Sequence, residues 1–355
     1  GLVSTGNELY GATAGEAIKL DVQGQIRHEL SLRADDPATG EDESAQATGN
    51  AIVVQRMNLG ARAKHDGWRG RLLFAVGRGK TRLLTGQVGR KLGDHFAVTV
   101  GQTKRLLSAA YRDSSRHQRL PERVSLADGF DGERDIGVVV RFRPIGKRLD
   151  IHVAAWNGAG ANVVGNETGR PMLEARIDGQ IVGSVDPEAA KIGNRFGMRA
   201  GVAGVVGQRS AVRSGSKGAL TLVDDHVGFS AECAVRLARV EARFEALWLR
   251  DAPVDVRSDQ RTPLPVSRND QLGLWAQLAW QPTRRWEFVA RWARHDKNRD
   301  DSDRDENVVE AGASFRPDGD DDVKLQLAWR QERDLRPASV VYVRNSVTTQ
   351  LQLIF

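Results

Sequence analysis

The sequence contains a single cysteine, Cys233, among 355 residues. One cysteine forms no intrachain disulfide and provides no paired-cysteine metal or redox site, so zinc and dithiol chemistry are excluded. No run approaches the roughly 20 apolar residues that a membrane-spanning helix needs. A helical membrane protein is therefore excluded as well.

Proline is sparse, with 11 residues against 37 glycines, a balance that suits many strands and turns better than a disordered chain. Lys and Arg number 52 against 46 acidic residues, which gives a net charge of +6. Both signs are spread along the chain and do not cluster with aromatics, so we expect no nucleic-acid partner. An excess of this kind suits an anionic lipid or a small anionic solute.

Alternation of apolar and polar residues runs through the chain. It is clear in "IKLDVQGQIRHELSL" near the start and in the final "SVTTQLQLIF". This period of two is typical of strands. It predicts sixteen strands, near residues 18–33, 57–63, 68–76, 82–92, 96–104, 135–143, 148–157, 171–181, 194–206, 222–235, 238–250, 271–281, 286–295, 306–316, 323–332 and 342–355.

The connections between these segments alternate in length. Most links after even-numbered strands are short, such as "HDG", "GDH" and "RLA", and most after odd-numbered strands are long and polar. The link near 183–193 and the short "GRGKTR" are exceptions. Alternating link lengths in an up-and-down meander are typical of bacterial outer-membrane barrels. A soluble sandwich of this size would divide into two domains, and no Pro/Ser-rich linker suggests a division.

The sequence therefore predicts an all-β fold: a 16-stranded antiparallel transmembrane β-barrel with an infolded constriction loop. We expect one barrel domain at 17–355, preceded by a short periplasmic segment at 1–16 that resembles a mature or trimmed N-terminus. The apolar face, with Phe244 and Trp248, is assigned outward, and the face with Glu241, Arg243 and Glu245 is assigned inward. Phe355, a terminal aromatic that closes the last strand, is predicted to be the assembly signal.

Three patterns with chemical meaning are weak. "FAVGRGKT" lacks the first glycine of a phosphate loop and its strand-loop-helix context. "DDSDRDE" has alternating acids but lacks the glycine and the final glutamate of a calcium loop, which leaves only weak surface calcium binding open. The seven histidines form no Ser/His/Asp grouping. We expect no enzyme, no cofactor and no metal site.

The segment from Lys104 to Val138 is long, polar and rich in arginine. Loops of this length within compact folds are usually functional or disordered. With "TVGQTKRLLS" at its start, "ERDIGV" at its end and "AAWNGAG" after it, the chain resembles the phosphate-selective porin O/P family. The resemblance implies a sixteen-stranded, usually trimeric outer-membrane channel for anions, in which the third long loop narrows the lumen.

The sequence departs from that family at two points. Arg105 and Leu106 stand where proline commonly follows the Gly-Gln-x-Lys motif, and the lysine cluster associated with tight phosphate binding has no clear counterpart. The resemblance therefore implies anion passage more firmly than phosphate specificity. The partners it implies are small anions, outer-membrane lipid and lipopolysaccharide, the barrel assembly machinery and further copies in a homotrimer.

The functional hypothesis is passive diffusion of small anions through an arginine-lined lumen, with phosphate or related oxyanions as candidate solutes. The predicted pore constriction consists of loop arginines, namely Arg105, Arg112, Arg116, Arg119 and Arg123. The predicted pore wall consists of inward cations on the strands, namely Lys19, Arg27, Arg33, Arg56, Arg62, Arg69, Arg71, Arg141, Arg143 and Arg291. Arginine suits this role because it stays charged and offers a planar fork to oxyanions.

An alternative stays open at this point. The barrel would be a plugged structural or binding protein of the outer membrane whose loops hold a partner or lipopolysaccharide. Inward acids would then neutralise the inward arginines, namely Asp21, Glu29, Glu232, Glu241, Glu245 and Glu287.

Deletion of Phe355 is expected to impair assembly more than the loss of one buried ring impairs a soluble fold, which costs about 3–5 kcal/mol. The reason is that the terminal aromatic is needed for recognition and not only for packing. The measurement is the amount of heat-modifiable protein that reaches the outer membrane. Normal amounts with unchanged migration would show that the residue is not a signal.

Overall fold

The computed structural model describes residues 8–9, 17–34, 49–77, 80–124, 134–165, 169–186, 192, 195–215, 218–258, 269–297, 305–336 and 340–354. Its strands are β1 (Glu8–Leu9), β2 (Ala17–Ala34), β3 (Gly49–His65), β4 (Trp68–Gly77), β5 (Lys80–Leu92), β6 (Phe96–Lys104), β7 (Arg134–Phe142), β8 (Leu149–Trp156), β9 (Met172–Val182), β10 (Gly197–Gly215), β11 (Gly218–Leu237), β12 (Val240–Ser258), β13 (Asn269–Trp280), β14 (Trp286–Asp296), β15 (Asp305–Phe315), β16 (Val323–Arg336) and β17 (Val340–Ile354). One short helix, α1 (Ala109–Arg112), and one 3₁₀ turn, Ser115–His117, follow β6. Within these ranges no helix is both long and apolar enough to cross a membrane.

Strands β2 to β17 form one closed antiparallel sheet. Each strand pairs with the next along the chain, and β17 returns to pair with β2, where Leu351 lies opposite Ile26. Strand β1 is a two-residue addition, with Glu8 opposite Lys19. The predicted sixteen-stranded barrel is confirmed. Phe355 and most of the 1–16 segment lie outside the described residues.

The two faces of the wall have opposite character. Large apolar side chains are exposed on the outside, such as Phe244 at 41% and Leu327 at 54%. Their neighbours along the strands point inward and are buried, although they are charged: Glu241 is 1% exposed and Glu245 is 0% exposed. This confirms the assignment of faces from the alternation. An apolar exterior around a polar interior is the reverse of a soluble protein and matches a wall solvated by lipid.

Aromatic side chains gather on the outer face beside the short turns. Phe96 stacks on Phe142 with ring centroids 4.5 Å apart, and Trp286 lies 4.9 Å from Phe315. The guanidinium of Arg90 lies 5.0 Å from the centre of the Trp68 ring. Amphipathic rings of this kind favour the boundary between lipid and water, so this end of the barrel has an interfacial girdle.

The links after β3, β5, β7, β11, β13 and β15 are short and lie at one end of the barrel, as predicted. At the other end β10 and β11 are also joined closely, since Gly215 lies opposite Gly218. At one of the two-residue turns, Asp66 and Gly67 have φ angles of 40° and 78°. A two-residue hairpin turn needs two positive φ angles, which aspartate and glycine tolerate best. The sequence "HDGW" therefore fixes the reversal between β3 and β4.

Several strands are longer than the sequence predicted. The expected ends at 206 and 222 are wrong, because β10 and β11 stay paired as far as Gly215 opposite Gly218. Likewise β12 continues to Ser258 and β3 begins at Gly49. Backbone hydrogen bonds extend these ladders beyond the apolar band.

Placing a charge on the outer face is expected to destabilise the barrel. Leu327→Arg exposes a guanidinium in the apolar band, which costs about 2–4 kcal/mol at the bilayer midplane. The matched control is Gln331→Arg, on the same face of β16 but nearer its loop end, where Gln331 bonds to Asn345 at 3.2 Å. Unfolding in lipid vesicles by denaturant measures both. Equal losses would contradict a lipid-facing band.

Candidate functional site

The chain between β6 and β7 folds against the inner face of the wall. We call residues 105–124 the inner segment; residues 125–133 lie outside the described residues. Two serines start its helical turns: Ser108 Oγ accepts from the amide of Tyr111 at 3.2 Å, and Ser114 Oγ accepts from that of Arg116 at 3.4 Å. Such side chains satisfy amides that a short helix leaves unpaired.

Two glutamate–tryptophan pairs of the wall hold the start of the inner segment. Glu245 on β12 accepts from the amides of Ala109 and Ala110 at 2.7 and 3.1 Å and from Trp275 Nε1 at 2.8 Å. Glu174 on β9 repeats the arrangement, accepting from the amide of Leu106 at 2.8 Å and from Trp156 Nε1 at 2.7 Å.

Both carboxylates are buried, at 0% and 2% exposure for Glu245 and Glu174. A buried carboxylate is stabilised only when donors surround it. The inner segment supplies backbone donors and the two tryptophans supply indole donors. The segment and the wall therefore satisfy each other's polar groups.

Arg119 holds the far part of the inner segment. Its guanidinium forms an ion pair with Glu287 and another with Glu241, the latter at 3.0 Å. Burial alone would lower the pKa of the Arg119 guanidinium, but Glu287 and Glu241 outweigh burial and raise it above the ordinary value. The charge of Arg119 is thus fully compensated by the wall.

Donors from β16 and β17 satisfy the carbonyls around Arg119. Lys324 Nζ donates to the carbonyl of Gln118 at 2.8 Å, and Gln326 Nε2 donates to that of Arg119 at 3.0 Å. Gln352 Nε2 donates to the carbonyl of Arg116 at 3.0 Å. A backbone carbonyl away from water needs a hydrogen-bond donor. These long side chains provide the donors that a helix or a sheet would otherwise provide.

Asp113 balances cations at the centre of the inner segment. Its carboxylate lies 2.7 Å from Arg243, and its carbonyl accepts from Lys104 Nζ at 2.7 Å and from Arg123 at 2.9 Å. Burial alone would raise the pKa of the Asp113 carboxyl, but Arg243, Lys104 and Arg123 hold it below its ordinary value. Asp113 is therefore ionised at neutral pH.

On the other side of the inner segment the interior is open. A cavity of about 450 Å³ lies between the segment and the wall formed by β2 to β7. We call it the basic cavity, because eight of its described lining residues are cationic and none is Asp or Glu: Arg62, Arg71, Arg82, Lys104, Arg112, Arg116, Arg123 and Arg134.

Two further cavities lie nearer the short turns, with volumes of about 440 and 570 Å³. The first is lined by Arg69, Arg141 and Arg143, with Asp94 as the one acid among its described lining residues. The second shares Arg141 and Arg143 and has four acids, namely Asp113, Asp150, Asp178 and Asp186. Arg112 lines all three cavities. The open space thus runs along one side of the barrel, with Arg112 where its parts meet.

The structure separates the predicted constriction residues into two groups. Arg112, Arg116 and Arg123 line the basic cavity. Arg119 and Arg105 are buried, at 5% and 6% exposure, and Arg105 lies against the sulfur of Met172 at 3.2 Å.

The predicted wall residues also divide. Arg62 and Arg71 line the basic cavity, and Arg69, Arg141 and Arg143 line a cavity nearer the turns. Arg141 and Arg143 both pair with Asp150 there. Arg291 is instead paired with Glu310 at 2.5 Å and buried. Four predicted wall side chains lie outside the described part of the structure: Lys19, Arg27, Arg33 and Arg56.

Sequence reasoning missed Arg82, Lys104 and Arg134 as wall residues, and Glu174 as an anchor. A register shift between Leu73 and Phe74 disturbs the alternation near Arg82. The sequence did contain a signal for a basic wall in this part of the barrel, because strands β3 to β6 contain no Asp or Glu.

No protein-family model matches the sequence, and no curated protein sequence matches it significantly. Solved structures do match in fold. The outer membrane channel DcaP of Acinetobacter baumannii has a TM-score of 0.62 at 13% identity, with 98% of this chain and 99% of that chain covered. The anion-selective porin from Comamonas acidovorans has a TM-score of 0.61 at 9% identity, with 96% and 100% covered.

A third similar structure is OmpT, an outer membrane protein of Vibrio cholerae in a trimer form. Its TM-score is 0.61 at 12% identity, with 95% of this chain and 99% of that chain covered. At such identities the likeness shows the fold alone, which is that of the outer-membrane porins. The narrower resemblance to the phosphate-selective porin O/P family stays a prediction.

Removing Arg119 is expected to loosen the inner segment. Arg119→Gln removes the cation between Glu287 and Glu241, although each glutamate keeps a second arginine. Losing hydrogen bonds to buried charged groups in this way costs about 1.5–3 kcal/mol. Denaturant unfolding in detergent measures the loss. The control is Arg116→Gln, whose pair with Asp322 at 2.7 Å is largely exposed and is worth at most about 1 kcal/mol. Similar small losses in both variants would contradict the anchoring role.

Proposed function

We propose that this protein is a passive diffusion channel of the bacterial outer membrane that prefers small anions. In this proposal the inner segment narrows the lumen, and solutes pass along the side formed by β2 to β8. One observation carries the proposal: the basic cavity has eight cationic lining residues and, among those described, no carboxylate. Such a lining attracts anions and repels cations in a water-filled path.

The distribution of charge through the lumen supports an anion preference. Inward acids on β9 to β16 are paired in place, as with Glu232 and Arg176 or Glu310 and Arg291. Strands β3 to β6, without any acid, form the opposite wall. At physiological salt, charges more than about 8 Å from the path are largely screened. The cations that line the cavity therefore dominate the field that a solute meets.

Within the predicted constriction, Arg112, Arg116 and Arg123 would form the filter. Arg119 and Arg105 would hold the inner segment in position and would not contact the solute. The charge of Arg119 is already balanced by two glutamates. Among the predicted wall residues, Arg62 and Arg71 would extend the filter along the path. Arg69, Arg141 and Arg143 would continue it nearer the turns, where Asp150 balances part of the charge of Arg141 and Arg143.

The proposal also covers where the protein is located and how it assembles. The exposed apolar band and the aromatic girdle support insertion in the outer membrane, as do neighbours described as outer-membrane proteins. We propose a homotrimer because a neighbour of the same fold is described in a trimer form. Outer-membrane lipid, lipopolysaccharide and the barrel assembly machinery are its further proposed partners.

Phosphate and related oxyanions are the proposed preferred solutes. Guanidinium groups match the oxygens of such anions through two parallel hydrogen bonds. Seven of the eight cations of the basic cavity are arginines. The resemblance of "TVGQTKRLLS" and "ERDIGV" to the phosphate-selective porin O/P family supports the same class of solute.

The alternative of a plugged structural barrel has some support in the paired half of the lumen. Of the acids named for it, Glu232, Glu241 and Glu287 bind arginines, whereas Glu245 binds backbone amides and Trp275. The side chains of Asp21 and Glu29 lie outside the described residues. The three cavities favour an open path over a plug.

The test is planar-bilayer recording in a potassium chloride gradient. The wild-type reversal potential is expected to show anion preference, and Arg62→Gln with Arg71→Gln is expected to reduce it, because two of the eight cations of the basic cavity are lost. The control is Arg333→Gln, which removes an exposed arginine from the outer face of β16. Inorganic phosphate at millimolar concentration is expected to block part of the chloride current.

Three results would overturn parts of this proposal. A cation-selective wild-type pore refutes the anion preference. The absence of discrete conductance favours the plugged barrel. A chloride current unaffected by phosphate removes only the oxyanion preference.

A further inference from the structure

Arg112 differs from the other arginines of the inner segment in where it points. Its side chain is 26% exposed and lines the basic cavity and both cavities nearer the turns. Arg116 and Arg123 line only the first of these three. Arg112 therefore lies beside the path of a solute that moves between these cavities.

Arg112 pairs with a carboxylate that two other arginines also contact. Arg112 Nη1 lies 2.9 Å from Asp178 Oδ2. Arg176 Nε lies 3.0 Å from the same carboxylate, and Arg199 Nη2 lies 2.9 Å from its other oxygen. Asp178 therefore keeps two close cations when Arg112 turns away.

A second carboxylate completes this cluster. Glu232 pairs with Arg176 and lies 3.3 Å from Arg199. Asp178 and Glu232 thus balance Arg176 and Arg199, and Arg112 is the cation in excess. Breaking the contact of Arg112 with Asp178 leaves no buried charge uncompensated, so the usual penalty for opening a buried pair does not apply.

The ionisation of Arg112 agrees with this geometry. Burial and the positive charge of Arg176 lower the pKa of Arg112 below its ordinary value, and attraction to Asp178 offsets them only in part. The Arg112 charge is therefore under-compensated in its resting position. An anion beside it would stabilise it.

We propose that Arg112 is the residue that determines specificity in this pore, and that it exchanges between Asp178 and a passing small anion. Asp178 acts as a built-in competitor: it holds Arg112 when the path is empty and draws it back after the anion leaves. Conduction requires contacts weak enough for release, and this competition provides that weakness. The inference rests on the proposed channel function and assigns the selective step to one pair.

The test compares Arg112→Gln, Asp178→Asn and the double variant by reversal potential in a potassium chloride gradient. Arg112→Gln is expected to lower the chloride-to-potassium permeability ratio by about two- to fivefold, the size of one partly exposed charge contact. Asp178→Asn is expected to raise the ratio, because Arg112 loses its competitor. In the Arg112→Gln background, Asp178→Asn is expected to have little further effect.

A lower chloride-to-potassium permeability ratio in Arg112→Gln and a higher ratio in Asp178→Asn would separate this role from a structural one. Loosened packing would not raise the ratio. The control is Arg116→Gln, which is expected to change the ratio less, because Arg116 lines one cavity and pairs with the exposed Asp322. Heat-modifiable migration checks that each variant is folded.

Two results would overturn the inference while the channel function stands. One is an Asp178→Asn pore that is no more anion-selective than the wild type. The other is an equal rise in both backgrounds, which would mean that Asp178 acts through the general field and not through Arg112. A cation-selective or non-conducting wild type would instead refute the proposed function itself.

Discussion

Closure of the hydrogen-bonded sheet is the constraint on which the rest of this structure depends. A backbone amide or carbonyl left unpaired in an apolar surrounding costs several kcal/mol, so a wall with an apolar exterior has no tolerable edge. Here β17 returns to β2 and leaves none among the barrel strands. Once the sheet is closed, every second side chain points inward. The polar side chains of each strand therefore lie in an enclosed space, where their charges need partners.

The inner segment and the wall solve this problem together. Without the amides of Leu106, Ala109 and Ala110, the buried Glu174 and Glu245 would lose backbone donors and depend on the indoles of the wall. The segment, in turn, has one short helix and otherwise little secondary structure, so its carbonyls depend on Lys324 and Gln352. Neither the wall nor the segment is satisfied alone. This mutual dependence explains why a loop without a core of its own has a defined position.

The same residue type takes different roles within a few positions of the inner segment. Arg119 lies between two glutamates and acts as an internal counter-ion. Arg112, seven residues earlier, shares its carboxylate partner Asp178 with two other arginines and lines open space. The wall opposite each residue makes the difference. Acids lie on β9 to β16, whereas β3 to β6 contain none. The asymmetry of the wall thus separates an anchored side from an open, basic side.

The sequence by itself determined the barrel, its strand number and its two faces, because a strand's geometry sends alternate side chains to opposite sides wherever the strand lies. It also located most short turns, where residues such as Asp66 and Gly67 suit the required backbone angles. Only the tertiary structure decided which arginines line the path and which are neutralised. Arg119 meets Glu287 across 168 residues, and Arg112 meets Asp178 across 66. Such pairs depend on the register of many strands at once and on how the inner segment crosses the lumen, and no local pattern encodes either.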